Sequence, residues 1–186
     1  MNMIDYKTLI PKEEIVIVQI GSHDGIVGEE YGLQEILDNH SNFKLFLIEP
    51  IPQFFNNLTN VYGKYGEKIT YCNFAITDIN GKTRMVEQGG MSRIDHNYGS
   101  LEVNSLDWDT FLNLYNIKNI DLLLIDCEGY EFNILQQINY DKCRPKVIRY
   151  EYMHIGDKEG CDNFITSKNY NIDYCIHDHT YNKIAY

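Results

Sequence analysis

Ile15-Val16-Ile17-Val18-Gln19-Ile20-Gly21-Ser22-His23-Asp24-Gly25 is the stretch that decides the fold. Its first half is nearly continuous and rich in β-branched residues, the pattern of a central strand buried on both faces. Its glycines let the backbone turn tightly and approach a ligand closely. Apolar runs of the same kind recur at Lys44–Glu49, Ile69–Phe74, Asp121–Asp126 and Lys146–Glu151. Helical spacing fills the gaps. Pro52 suits a first turn, and Phe55, Leu58 and Tyr62 then share a face. Asp107 can cap a helix that turns Phe111, Leu114 and Tyr115 inward. Phe132, Leu135 and Ile138 repeat that spacing within Gly129–Ile138. The alternation predicts an α/β fold with a mostly parallel sheet of βαβ units. Ile172–Ile176 and Lys183–Tyr186 have no helix between them and predict a C-terminal antiparallel hairpin. A further hairpin is expected around Asn80-Gly81, from its turn chemistry.

With 186 residues, 44% of them hydrophobic, the chain predicts a single domain over residues 1–186. No apolar stretch approaches the roughly 20 residues that span a bilayer, and Met1 to Glu14 lacks the order of a secretory signal. A cytoplasmic protein with no membrane partner is expected. Cys72, Cys127, Cys143, Cys161 and Cys175 contain no C-x-x-C pair and read as packed thiols in a reducing compartment. A net charge of -11 without any Lys/Arg run argues against a nucleic-acid partner.

In a doubly wound sheet, ligands bind outside the carboxyl ends of the strands. Gly21, Ser22, His23, Asp24 and Gly25 follow the first strand, and Glu49 ends the second, where a carboxylate can accept both ribose hydroxyls of a nucleoside. Loop and acid together point to an adenosine-type cofactor, although an ordinary tight turn and a solvated acid explain each alone. Ala75, within Asn73–Asp78, can lie against an adenine face; core packing explains Phe74 and Ile76 equally well. After the fourth strand, Asp126, Glu128 and Glu131 crowd three carboxylates into six positions. Protonation, hydrogen bonds or a cation must offset that repulsion. The helix dipole is the bland explanation for the two glutamates. A divalent ion on these carboxylates is the lesser alternative, and His177 with His179 lacks a third ligand, so no metal site is assigned. His154, three residues past Glu151, can act as a general base or be a surface histidine. Trp108 reads as core-facing.

Ser105-Leu106-Asp107-Trp108-Asp109-Thr110-Phe111, followed by Ile120–Leu135 with its Ile125-Asp126-Cys127-Glu128-Gly129-Tyr130-Glu131 core, resembles the signature of FkbM-type methyltransferases. Val18–Gly25, Ile48-Glu49-Pro50 and Asn73–Gly81 resemble that family's other motifs, in the same order. The resemblance covers about residues 15 to 152. It implies S-adenosylmethionine as cofactor, a Rossmann-like class I methyltransferase fold with a seven-stranded sheet, and O-methylation of a carbohydrate-like or other small molecule. Gly21 to Gly25, Glu49, Ala75 and Asp126 then become the cofactor contacts, and Asp126, Glu128 and His154 the catalytic candidates. Gln19 stands where many methyltransferases carry an acid, and His23 where the family often has asparagine. Acceptor recognition is expected from Gln88–Arg93 and the segment after Glu151, because no sizeable lid precedes the first core strand. Two other readings remain. An NAD-dependent oxidoreductase should carry the longer G-x-G-x-x-G fingerprint, which is absent. A non-catalytic binding module on the same fold is kept open by Gln19.

Overall fold

Strands apolar on both faces need a hydrophobic layer on each side, and the computed structural model supplies both. It describes residues 3–11, 14–26, 32–175 and 182–186. In chain order come β1 (Met3–Ile4), β2 (Ile15–Ile20), α1 (Leu33–Asn39), β3 (Phe43–Ile48), α2 (Pro52–Tyr62) and β4 (Ile69–Cys72). Next are β5 (Ala75–Ile76), β6 (Gly81–Val86), β7 (Arg93–Ile94) and β8 (Leu101–Leu106). The chain continues through α3 (Trp108–Leu114), β9 (Leu122–Ile125), α4 (Glu131–Gln137), β10 (Val147–Glu151), α5 (Lys158–Ser167), β11 (Ile172–Cys175) and β12 (Asn182–Ala185).

The large sheet has the order β1-β11-β12-β10-β9-β2-β3-β4. Only β12 runs against the others, as the expected C-terminal hairpin requires. Seven strands make the expected Rossmann-like sheet, and the two-residue β1 extends its β11 edge. β2 and β9 are adjacent and parallel, with Ile20 opposite Ile125. The chain therefore reverses its direction of travel across the sheet between them, which opens a crevice at their carboxyl ends. Val18 and Ile20 pack into one core with Trp108, Phe111, Ile134 and Ile165, from the α3, α4 and α5 side. Ile15 and Ile17 pack into the other with Leu33, Ile36, Leu58 and Tyr62, from the α1 and α2 side.

Local chemistry sets the element ends. Pro52 opens α2, and Asp107 caps α3 by accepting from Thr110 N at 2.7 Å. Leu114, expected inward, is 62% exposed. The chain reverses at Asn116 (φ 53°), Ile117 N bonds Leu112 O at 2.9 Å, and Ile117 takes the buried place instead. The expected Asn80-Gly81 hairpin is also corrected: β5 and β6 lie on opposite sides of β8 in a second, four-stranded sheet, β5-β8-β6-β7. Ser105 Oγ donates to Ile79 O at 2.7 Å, and Asn80 Oδ1 accepts from Asp107 N at 2.9 Å, which carries the connection across β8. This small sheet stands where a simple βαβ unit would place only a helix.

At the other end of the central strands, buried Asp121 accepts from Val16 N at 2.8 Å and pairs with Lys146 Nζ at 2.7 Å. Asp121→Ala leaves Val16 N–H without its acceptor and should lower stability by about 1–3 kcal/mol. Urea denaturation checks this; an unchanged midpoint would show that the clamp is dispensable.

Candidate functional site

The crevice is built around Gly21. Its φ is +80°, and a Cβ there would stand 1.7 Å from the Asp126 carbonyl oxygen, so a side chain cannot fit between the ends of β2 and β9. The turn is held from the other side, because Gly21 N and Ser22 N both donate to Ile48 O at 3.0 Å. His23 follows at φ 48°, packed at a tilt of 31° against Phe54 of α2 with ring centroids 3.9 Å apart. Its Nδ1 lies 3.2 Å from Asp24 Oδ1, and its buried Nε2 has no hydrogen-bond partner among the described residues.

Glu49 lies one residue beyond β3 and is buried. Its Oε2 accepts from His23 N at 2.9 Å and its Oε1 from Ile51 N at 2.8 Å, which ties the glycine loop to the entry of α2. Each carboxylate oxygen keeps a further lone pair. Burial pushes this carboxyl up to about 7, against the pull of the two backbone N–H groups.

Beyond β9 the chain enters a strained loop, with Glu128 at φ 53° and Gly129 at φ 104°. Glu131, fully buried at the start of α4, folds back over it: Oε1 accepts from Cys127 N at 2.6 Å and Oε2 from Gly129 N at 3.0 Å. Burial pushes Glu131 up to about 8, and Glu151 and Asp126 add to the rise. Burial first, and then Glu151, also raises Glu128. His154 Nδ1 sits 2.8 Å from Glu128 Oε2 and 3.0 Å from Glu151 Oε1. Crowded carboxylates are thus met by backbone donors, by raised pKa values and by one imidazole.

These pieces enclose a cavity of about 210 Å³. Of the residues expected to bind cofactor, Gly21, His23, Glu49, Ala75 and Asp126 line it, whereas Ser22, Asp24 and Gly25 do not. Gly25 instead packs against Tyr62, and Ser22 Oγ turns back to Gln19 O at 3.3 Å. Glu128 lines the wall, and His154 stands behind it, bonded to two lining residues without lining the cavity itself. Gln19 lies beneath the loop, 2% exposed, and neither polar atom of its amide has a hydrogen-bond partner among the described residues. The His177 and His179 pair lies outside the described residues.

Residues 19–182 match the methyltransferase FkbM domain. The chain belongs to the FkbM methyltransferase family. Among solved structures, the FkbM methyltransferase of Methylobacillus flagellatus shares 17% identity and superposes with a TM-score of 0.66, over 98% of this chain and 48% of that one. This chain therefore spans about half the length of that relative. Aeropyrum pernix fibrillarin, with bound S-adenosyl-L-methionine, shares 11% identity at a TM-score of 0.52, over 94% of this chain and 67% of that one. TrmK of M. capricolum, complexed with S-adenosyl-homocysteine, shares 14% identity at 0.51, over 99% and 68%. Such distant likenesses establish the fold. A comparison with curated proteins found no match.

Part of the cavity wall of this FkbM domain was not anticipated from its sequence. Ile51 and Phe54 come from the start of α2, Met85 and Ile94 from the second sheet, and Glu151 from the end of β10. Glu151 carried the same signal as Glu49, an acid closing an apolar run. The second-sheet residues carried none, because the pairing that brings them in is not local. Gly89, Gly90 and Ser92 join them from the Gln88–Arg93 loop. Donor atoms of Glu128, Glu151 and His154, and separately of Asp126, Glu131 and Glu151, lie within 4.8 Å of one another, close enough to hold a metal ion.

Glu131→Gln offers one oxygen where the loop needs two acceptors and sets an amide against a backbone N–H. It should cost about 1–3 kcal/mol and loosen residues 127–129. Hydrogen exchange at Cys127 and Gly129 measures the loosening, and parental protection at both amides would refute it.

Proposed function

We propose that this chain is an S-adenosylmethionine-dependent methyltransferase that methylates a hydroxyl of a small, carbohydrate-like acceptor. One observation carries the reading. Glu49, Gly21, Asp126 and Glu151 close four neighbouring strands in that order along the sheet and line one cavity. The cavity fits the cofactor on three counts: a buried carboxylate with spare lone pairs, a glycine where the backbone must stay bare, and an orphaned ring nitrogen on His23. When bound, S-adenosylmethionine supplies a methyl group activated by a sulfonium. Glu49 would accept the ribose hydroxyls. Ile51, Phe54, Ala75 and Ile76 form the apolar wall for the adenine, and Gly21, His23 and Asp126 face the methionine portion.

Much of the acceleration comes from alignment, because holding a nucleophile in line with its target removes the entropy of encounter. A neutral hydroxyl also needs a base. His154 does not line the cavity, so the acceptor's proton would reach its imidazole through Glu128, which does and which lies 2.8 Å from Nδ1, and both carboxylates would then stabilise the imidazolium. A small acceptor accords with the net charge of -11 and with the lack of Lys or Arg among the described lining residues. Transfer of labelled methyl to a panel of saccharides and small alcohols tests the acceptor class, and exclusive transfer to RNA would overturn it.

His154→Ala should lower kcat by about 10²–10⁴-fold with little change in S-adenosylhomocysteine affinity. Single-turnover assay beside calorimetry checks it, and parental turnover would move the base elsewhere.

Glu49→Ala should weaken S-adenosylhomocysteine binding by about 1.5–3 kcal/mol, the scale of hydrogen bonds to a charged group. The sign with pH follows from its raised pKa. Below about 7 the carboxyl is protonated and loses the charge that strengthens those bonds, so parental affinity should rise as pH climbs through 7. Titrations from pH 6 to 8 should show that rise in the parent and a flat profile in Glu49→Gln.

A further inference from the structure

The cavity has a marked imbalance of charge. Glu49, Asp126, Glu128 and Glu151 line it, and among its described lining residues none is Lys or Arg. Glu131 lies just beneath, with a carboxylate oxygen within 4.8 Å of those of Asp126 and Glu151. Among the described residues, the basic side chains at this cluster include His154, shared by Glu128 and Glu151, and Arg93, which is exposed on β7 and eases the rise of Glu128. Burial raises the Cys127 thiol well above its usual range, and Glu131, Asp126 and Glu49 raise it further. The acids are also unevenly placed. Glu49 stands on one side of Gly21, among Ile48, Ile51 and Phe54, whereas Asp126, Glu128 and Glu151 stand on the other. With strands about 4.8 Å apart, a nucleoside anchored at Glu49 extends its tail toward that second group.

We propose that Glu128 and Glu151 make the site selective for a cationic donor over its neutral product, holding S-adenosylmethionine more tightly than S-adenosylhomocysteine. The inference rests on the cofactor reading above. Methyl transfer leaves the carbon–sulfur bonding pair on sulfur, which becomes a neutral thioether, while the acceptor's proton goes to His154. The positive charge that the carboxylates attract has then left the sulfur. Coulomb attraction in a partly desolvated pocket is stronger than in water, so its loss weakens the hold on the product and favours release. This site would resist product inhibition.

Calorimetry on the whole chain tests it, at low salt to limit screening and in EDTA so that no divalent ion offsets the carboxylates. Three ligands suffice: S-adenosylmethionine, S-adenosylhomocysteine, and sinefungin, whose amine replaces the sulfonium. Both cations should bind about tenfold or more tightly than S-adenosylhomocysteine, and the gap should shrink in Glu128→Gln. The three-ligand comparison needs no variant, so it decides the matter even if that substitution unfolds the loop. Equal or tighter binding of S-adenosylhomocysteine overturns the charge selectivity while leaving the cofactor reading intact. No binding of any of the three overturns the cofactor reading, and this inference with it.

Discussion

The close approach of the Gly21 backbone to the Asp126 carbonyl oxygen is the contact on which the rest of the structure depends. Two central strands must run side by side as far as Ile20 and Ile125, then part to leave a crevice. Asp126 N still bonds Ile20 O at 3.0 Å, so the parting occurs within one residue. Only a residue without Cβ fits that corner, and its left-handed φ turns the chain toward Glu49. Glu49 then fixes both the loop and the start of α2 through two backbone donors. One steric constraint thus positions the cavity floor, the carboxylate at its side and the helix that forms its wall.

A second theme is how the protein tolerates so many buried acids. Isolated carboxylates in a low dielectric are costly, and each here has a distinct remedy. Glu131 accepts two backbone N–H groups and titrates high. Glu128 and Glu151 share an imidazole. Elsewhere, buried Lys183 is held by both oxygens of Asp162, at 2.8 and 2.6 Å, with its Nζ 3.6 Å from the centre of the Tyr152 ring. That pair fastens α5 to β12, and neither of its residues lines the cavity, so charge burial in this chain is not confined to chemistry.

Much of this was legible in the sequence where the signal is local. Nearly continuous apolar runs marked β2, β3 and β9, and the acids that follow β3 and β9 marked the cavity. Helices were harder. α1 begins at Gly32, which caps it without a side chain, and α5 shows few apolar residues, Cys161, Phe164 and Ile165, among polar ones. Neither produces a strong period. The second sheet was illegible because β5 pairs in parallel with β8, some thirty residues on, and the Asn80-Gly81 turn chemistry serves a crossing over a third strand. His154 was found by position, but its two glutamate partners come from different loops and strands, and only the folded chain sets the three together.

The order of the large sheet also bears on how the chain is made. Val16 and Asp121, joined by a hydrogen bond, are 105 residues apart in sequence. During synthesis β2, β3 and β4 emerge first and can pair with one another, yet the β2 edge destined for β9 stays uncovered until that much more chain has followed. An apolar strand with an open edge is a template for unwanted pairing, and contacts so distant in sequence close slowly. The feature that creates the crevice, a central strand whose two neighbours come from opposite halves of the chain, therefore sets the most exposed moment in the protein's birth.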